Sequence, residues 1–445
     1  MSTTTSAPRS RVRWKVFGFL WILVVLNYID RAALSIALPF ISKDFDLTPE
    51  LQGVLLGCFF YTYLVFQIPG GVLLDKLGAR KVILAAGALW GVFQALGGFA
   101  SSGVALILLR LGLGAAEAPI SPSSAKLNSA WLPAKERARG ATFVDAASPF
   151  GAAVGGLAVT ALIGVFGSWR EAFVITGVLT VIISIVFYLY LRDTPEQHKA
   201  VSPSEIEYIR GEEDVADAID DRLLPKVSDY VRSRSFWAMM FGRLGWATVW
   251  WGIISWTPTY LSEAMHFDLG ALGWGTFAVY GMGVLGQLVA GYTVDKWRSA
   301  TTRYNLVMKT VFGISGLGTA VAVFSLPAIS NGYTAVVALG IAVFFINFGG
   351  LYWAIPAWLA PKQQVGRIGG VMNVASSGGG GLAPVVMGFA IAASAGSFAG
   401  SFVFLGISAT VYLVGSLLIN YERPLAHARQ DRLDADRPEE RATAR

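Results

Sequence analysis

Long apolar runs separated by short polar breaks recur about twelve times along the chain. They occupy 15–38, 51–74, 80–100, 104–127, 140–163 and 170–191, then 236–262, 270–294, 306–328, 334–358, 368–391 and 398–420. An α-helix needs roughly 20 residues to cross a bilayer, and each run has about that length. In lipid each run must be helical, because only a helix satisfies its own backbone hydrogen bonds within one segment. The segment 192–235 interrupts the series: it is rich in charge, has no spanning run, and carries a short helical pattern from Ser204 to Ile209. The pattern predicts an all-α membrane protein of twelve transmembrane helices in two pseudo-symmetric six-helix halves, 15–191 and 236–420. An N-terminal arm, 1–14, a central loop, 192–235, and a polar tail, 421–445, complete the chain, and composition marks the tail as disordered.

The halves echo each other. Gly71 to Asp75 and Lys76, after the second run, matches Gly291 to Asp295 and Lys296, after the eighth. Trp131-Leu132 and Arg139-Gly140 are echoed by Trp358-Leu359 and Arg367. Two related six-helix halves around a midplane site are an architecture of alternating-access transporters. Basic residues set the orientation. Arg9, Arg11, Arg13 and Lys15 precede the first run, and Lys76, Arg80 and Lys81, Lys135, Arg137 and Arg139, Lys296, Arg298 and Arg303, and Lys362 and Arg367 fill alternate loops. The intervening loops hold little beyond Lys43 and Arg170, so the positive-inside rule predicts that both termini are cytoplasmic.

Composition narrows the class. The chain has 445 residues, 54% hydrophobic and 14% charged, with 50 Gly and a mean hydropathy of +0.55, which excludes an ordinary soluble protein. The first apolar run is too long for the core of a cleaved signal and reads as a retained span. The net charge of +6 lies at helix ends, where anionic lipid and topology explain it better than nucleic acid does. Cys58, the single cysteine, excludes an internal disulfide and gives no metal cluster. No nucleophile–base constellation appears, so no enzyme and no cofactor is expected.

Charges inside the runs carry the candidate chemistry. Asp30 and Arg31, within Asn27-Tyr28-Ile29-Asp30-Arg31, stand in the middle of the first run. A charge at the bilayer centre costs about 2.5–3.5 kcal/mol even on lenient scales, so it normally faces a polar interior. Either the two pin helices together as an internal pair, or Arg31 receives an anion. Arg110 and Glu117 in the fourth run are seven residues apart, hence on one face of a helix. They form either a structural ion pair or a proton-carrying acid with its partner. His198, His266 and His427 lie in loops or the tail, which leaves a carboxylate as the proton carrier. Asp145 in the fifth run either lines the cavity or sits near its cytoplasmic mouth. Arg243 in the seventh run, ahead of Trp246, Trp250, Trp251 and Trp256, either snorkels to the inner face or acts as a second carboxylate receptor; snorkelling is the simpler expectation. The tryptophans read as packing or interfacial residues, and Ser376 to Gly381 with Pro384 as a flexible bend in the eleventh run.

Gly70-Gly71 through Asp75-Lys76 to Arg80 resembles the signature loop of the major facilitator superfamily, in which Gly71, Asp75, Lys76, Arg80 and the echo Asp295 would form a conformational charge lock. Asn27 to Arg31, Tyr63 to Gln67 and Pro69-Gly70-Gly71, Arg110 to Glu117-Ala118-Pro119, and Ala360-Pro361-Lys362 through Asn373 resemble its anion:cation symporter family. That branch contains bacterial hexuronate, galactonate, glucarate and phthalate transporters and the animal sialin-type carriers. The resemblance covers essentially the whole chain. It implies that Arg31 binds a substrate carboxylate with Tyr28, Tyr63 and Asn373 as polar contacts, and that Asp30 and Glu117 take part in proton coupling, with Arg110 beside Glu117. Ser148 stands where the sugar-acid carriers often have Gln, a departure that weakens the case for a polyhydroxylated sugar acid and leaves room for an aromatic acid or small dicarboxylate. The expectation is therefore a monomeric carrier in a bacterial inner membrane that imports an organic carboxylate with H+. Proton-coupled efflux or exchange, and a non-transporting receptor for an organic anion, are the alternatives.

Overall fold

The computed structural model describes residues 10–211 and 224–426, so His427 and the tail beyond it lie outside the described residues. Helices dominate, and no strand occurs among the described residues. Among the described residues, eleven helices are long and apolar enough to cross a membrane. They are Val12–Phe45, Pro49–Leu77, Ala79–Gly97, Gly103–Trp131, Lys135–Phe166, Trp169–Tyr190, Leu269–Ala300, Tyr304–Ala328, Gly332–Leu359, Val365–Ala393 and Ala399–Leu418. Arg234–Thr259, seventh in chain order, makes the twelfth span. It is Trp-rich and enclosed by protein along most of its length.

The helices outrun the apolar patterns. The first begins at Val12 and ends at Phe45 rather than running 15–38, because hydropathy marks the lipid layer and not the end of the hydrogen-bond ladder. At the face opposite the termini the starts are capped by side chains: Thr48 accepts from the Leu51 amide, Ser102 from Ala105, Asp268 from Ala271 and Asn331 from Tyr333 and Thr334. In the first half two spans break in mid-course. The fourth divides into Gly103–Glu117 and Ile120–Trp131 around Pro119. The fifth divides into Ala134–Asp145 and Ala147–Phe166, where Pro149 lacks the N–H that the Asp145 carbonyl would have received. Each break leaves an acid, Glu117 or Asp145, as the last residue of its segment.

The two halves meet at the face away from the termini, and glycines set how closely. A Cβ on Gly53 would lie 2.6 Å from the Pro384 carbonyl oxygen, and one on Gly388 would lie 2.4 Å from that of Pro49. This seals the second span against the eleventh. Gly156 and Gly273 do the same for the fifth and eighth, against Thr276 and Thr160. At the face that carries the termini, Gly71, Gly291, Gly366, Gly369 and Gly370 have no such neighbour within 4 Å. Among the described residues no ion pair joins the halves there. The halves are therefore closed at one face and parted at the other.

The helix expected at Ser204 to Ile209 spans Pro203–Arg210 and is docked rather than free. Glu205 is fully buried and takes hydrogen bonds from the Ser10 hydroxyl, the Val12 amide (3.2 Å) and the Arg13 guanidinium (2.7 Å), which caps the first helix. Arg13 also reaches Glu136 at 2.9 Å, and Tyr208 donates to Glu136 at 2.8 Å. At its far end, the Arg210 hydrogen bond to Glu196 holds that carboxyl down at about 2. On the other side of the linker, Tyr230 donates to Gln364 at 2.6 Å, and Gln364 donates to the Pro225 carbonyl at 2.9 Å.

Candidate functional site

Arg31 projects from the first span into the junction of the two halves. Its guanidinium carbon lies 4.6 Å from the Phe59 ring centroid, 4.7 Å from Trp251, 5.3 Å from Tyr28, 5.6 Å from Phe60 and 5.8 Å from Tyr63. Local helix geometry explains the cage: Tyr28 is one turn before Arg31, and Phe59, Phe60 and Tyr63 share one stretch of the second span. Inside it Arg31 pairs with Glu117, whose segment ends there because of Pro119. The pair is under-satisfied: Arg31 Nε and the second oxygen of Glu117 are buried without partners. An unmade hydrogen bond at a buried polar group costs about 1–3 kcal/mol, and arginine offers five donors in a fork that matches a carboxylate. An aromatic-walled guanidinium with spare donors is chemically a receptor for an anion.

The neighbours expected from sequence are arranged differently. Asp30 does not face Arg31. It accepts from Trp90 Nε1 at 2.8 Å and the Thr180 hydroxyl at 3.3 Å, inside the first half, with its other oxygen unpaired. Successive residues on a helix point roughly 100° apart, so adjacent numbers did not make an internal pair. Arg110 and Glu117, placed on one face by spacing, are not paired either. Arg110 lies 5.5 Å from the opposite side of the cage at Phe59, with Nε and Nη1 unpartnered. Glu117 goes to Arg31.

Tyr28 stacks on Trp251 of the other half, with centroids 5.8 Å apart. Ser148 stands beside the Tyr28 hydroxyl, as a cavity position requires. Tyr63 stacks on Phe59 at 5.4 Å. Asn373 is half-buried in the eleventh span, and no hydrogen bond ties it to the Arg31 cage among the described residues. Asp145 is half-buried and accepts from Gln287 of the eighth span at 2.6 Å. This is a polar bond across the two halves.

Arg243 does not snorkel. It is 2% exposed, 3.9 Å from the Trp246 ring and 4.8 Å from Trp353. Trp246, Trp250, Trp251 and Trp256 are buried in protein rather than interfacial, and Trp251 forms a wall of the Arg31 cage. The glycine run in the eleventh span does not interrupt its helix. The helix Val365–Ala393 passes through it unbroken, and Gly379 packs on the backbone of the seventh span at Leu244 while Gly380 packs on Phe60. In the signature loop, Asp75 pairs at 3.0 Å with Lys126 of its own half. Arg80 donates from its amide to Asp193 at 2.9 Å and covers the Tyr188 ring. Gly78 has φ +82°, and a Cβ there would meet the Asp193 carboxylate at 2.7 Å. Lys76 and Asp295 are exposed and Gly71 is uncrowded. Trp251, Lys126, Gln287 and Trp90 were not legible as site residues, because their roles arise only where separate spans meet.

Residues 20–384 match the profile described as Major Facilitator Superfamily. The chain is similar to the "Probable L-galactonate transporter" of Escherichia coli K12, 30% identical over 86% of this chain and 83% of that protein. It is also similar to the "Probable sulfoacetate transporter" of Cupriavidus necator, 29% identical over 98% of this chain and 97% of that one. The "Hexuronate transporter" of Bacillus subtilis is 25% identical over 94% and 96% of the two chains. The fold is shared with a bacterial homologue of the human lysosomal transporter Spinster, crystallised in an inward-facing, occupied conformation. That match has a TM-score of 0.75 at 18% identity and covers 94% of this chain and 99% of that chain.

Proposed function

The chain belongs to the major facilitator superfamily, a multi-pass membrane transporter and not an enzyme, and from that premise we propose that it imports an organic carboxylate together with protons. The observation that carries this reading is the buried Arg31–Glu117 pair with unfilled hydrogen-bonding capacity inside an aromatic cage walled by both halves. A substrate carboxylate competes with Glu117 for the Arg31 fork. Protonating Glu117 frees Arg31, so proton binding and anion binding favour each other, and the coupling is reciprocal. Arg110, behind Phe59, keeps the local charge positive when Glu117 is neutral. Asp30, held by Trp90 and Thr180, is a second proton site, placed to couple the first, third and sixth spans. Tyr28, Tyr63, Ser148 and Asn373 contribute polar contacts to the bound anion. The named organic acids of the relatives support this substrate class.

The carrier acts as a monomer in a bacterial inner membrane with both termini and the 192–235 loop cytoplasmic, so the parted face opens inward. Gly71, Asp75, Lys76, Arg80 and Asp295 form the gate at that face. When it closes, Asp75 exchanges partners across helix ends.

Uptake of labelled galactonate, glucarate and sulfoacetate into proteoliposomes, with and without an inward-directed proton gradient, tests the reading. Gradient-driven accumulation is expected, and Arg31→Lys should weaken it. Lysine keeps the charge but loses the bidentate fork, and charge-assisted hydrogen bonds are worth about 1.5–3 kcal/mol. Uptake indifferent to the gradient, or undiminished in Arg31→Lys, would refute it.

A further inference from the structure

Like Arg110, Arg243 is a buried arginine with an unpartnered nitrogen. It is 2% exposed, its Nε has no partner, and its single hydrogen bond among the described residues is a long one of 3.4 Å to the Gly349 carbonyl. No carboxylate stands within ion-pair distance of it among the described residues. A buried, unpaired guanidinium in a membrane protein is costly and is retained where something charged meets it.

Its surroundings are built for that. The tenth span tightens from α-helix to 3-10 winding over Asn347–Ala354, opposite Arg243. A Cβ on Gly349 would lie 2.0 Å from the Trp246 ring, so only glycine admits the stacked Trp246–Arg243 arrangement. A Cβ on the next residue, Gly350, would sit 3.3 Å from both Asp145 Oδ2 and Gln287 Nε2. Arg243 and Asp145 thus flank the same two glycines, near enough for each to feel the other's charge. Gln287, bonded to Asp145, holds that acid short of contact. The Tyr28 ring lies 5.3 Å from the Arg31 guanidinium, and its hydroxyl is within electrostatic reach of Arg243 and Asp145.

We propose that Arg243 is a second anion subsite, in the half opposite Arg31, and that the substrate is a compact dianion bridging the two. This rests on the reading of Arg31 as the carboxylate receptor and specifies the substrate class it serves. One carboxylate takes the Arg31 fork. The second anionic group, a carboxylate or a sulfonate, takes Arg243 in place of the field of Asp145. The ligand then ties one half to the other, which a monoanion held only by Arg31 does not do.

The test is calorimetric binding to the purified full-length protein with matched pairs that differ in one charge: galactarate against galactonate, and sulfoacetate against methylsulfonylacetate. The first pair tests a second carboxylate and the other a sulfonate. In at least one pair the dianion should bind about tenfold or more tightly, 1.4 kcal/mol. Arg243→Gln should abolish that preference. Asp145→Asn keeps an acceptor for Gln287 and removes the competing charge, so it should tighten the dianion, a gain that damage to the fold does not produce. Equal affinity within both pairs, or an unchanged preference in Arg243→Gln, overturns the proposal. If Arg243→Gln fails to fold, Asp145→Asn decides, and no tightening overturns it. Monoanions that bind through Arg31 with no dianion preference defeat this inference alone. A protein that binds none of the four probes defeats the reading of Arg31 as well.

Discussion

Gly53→Ala should drive the protein out of the conformation described here without touching the binding site. The new methyl carbon would lie 2.6 Å from the Pro384 carbonyl oxygen, 3.2 Å from Val385 Cα and 3.3 Å from Gly388 Cα. All three are backbone atoms of the opposite half, so no side chain can swing aside. Carbon atoms in ordinary contact sit about 3.5–4.0 Å apart, so the second and eleventh spans must separate by the better part of an ångström. Overpacking of this kind typically costs about 1–3 kcal/mol. The cost falls only on the state in which this face is closed and vanishes when it opens. A bias of about 1–3 kcal/mol corresponds to a shift of roughly 5–150-fold between the two states. Spin labels on Lys76→Cys and Lys296→Cys, in a Cys58→Ser background, sit at equivalent exposed positions of the two halves at the parted face. Double electron–electron resonance should show a shorter-distance population growing in Gly53→Ala. Gly71→Ala, where a Cβ meets nothing, is the control. A folded Gly53→Ala protein with the parent's distance distribution would refute the closed-face reading.

Three further outcomes follow from the described contacts. Glu117→Gln should retain counterflow exchange but lose accumulation driven by a pH gradient, because the Arg31 partner is then permanently uncharged; intact accumulation would remove Glu117 from the proton path, and Asp30→Asn run in the same vesicles tests the second acid. Ser148→Gln should shift a competition panel toward polyhydroxylated acids, since Gln adds a donor and acceptors beside Tyr28; an unchanged rank order would place the specificity elsewhere. Glu205→Ala should destabilise by about 3 kcal/mol, the low end for breaking a buried pair because Arg13 keeps Glu136, and should expose the linker to proteolysis; denaturation midpoints and limited trypsin digestion measure both.

The spans were legible because lipid demands continuous apolar helix, and the halves because their loops repeat. The helix ends were not, since the ladder continues past the apolar layer to Phe45 in the first span. Arg31 was recognisable as an exceptional charge, but its partner was not. Spacing pointed Glu117 at Arg110, seven residues back on one helix, whereas the choice was made by where the first and fourth spans cross. Adjacency of Asp30 and Arg31 in the sequence leaves a pair between them open, and only the fold shows Asp30 turned toward Trp90. Arg243 looked like a residue that reaches for water, and only the packing of Trp246, Trp353 and Gly349 around it shows that it stays inside.

The docked linker has a consequence for how the chain can be divided. Glu205 fastens one end of the connection to the first half, and Gln364 fastens Pro225 and Tyr230 to the second, so each bundle carries its own piece of linker as an integral part. Between these anchors the sequence from Gly211 to Leu224 has a fully extended reach of roughly 45 Å, far beyond the displacement needed to rock one bundle against the other. A chain of that length tethers the halves and sets the local concentration of one near the other. Two separately translated polypeptides, cut between those anchors, retain every contact described here.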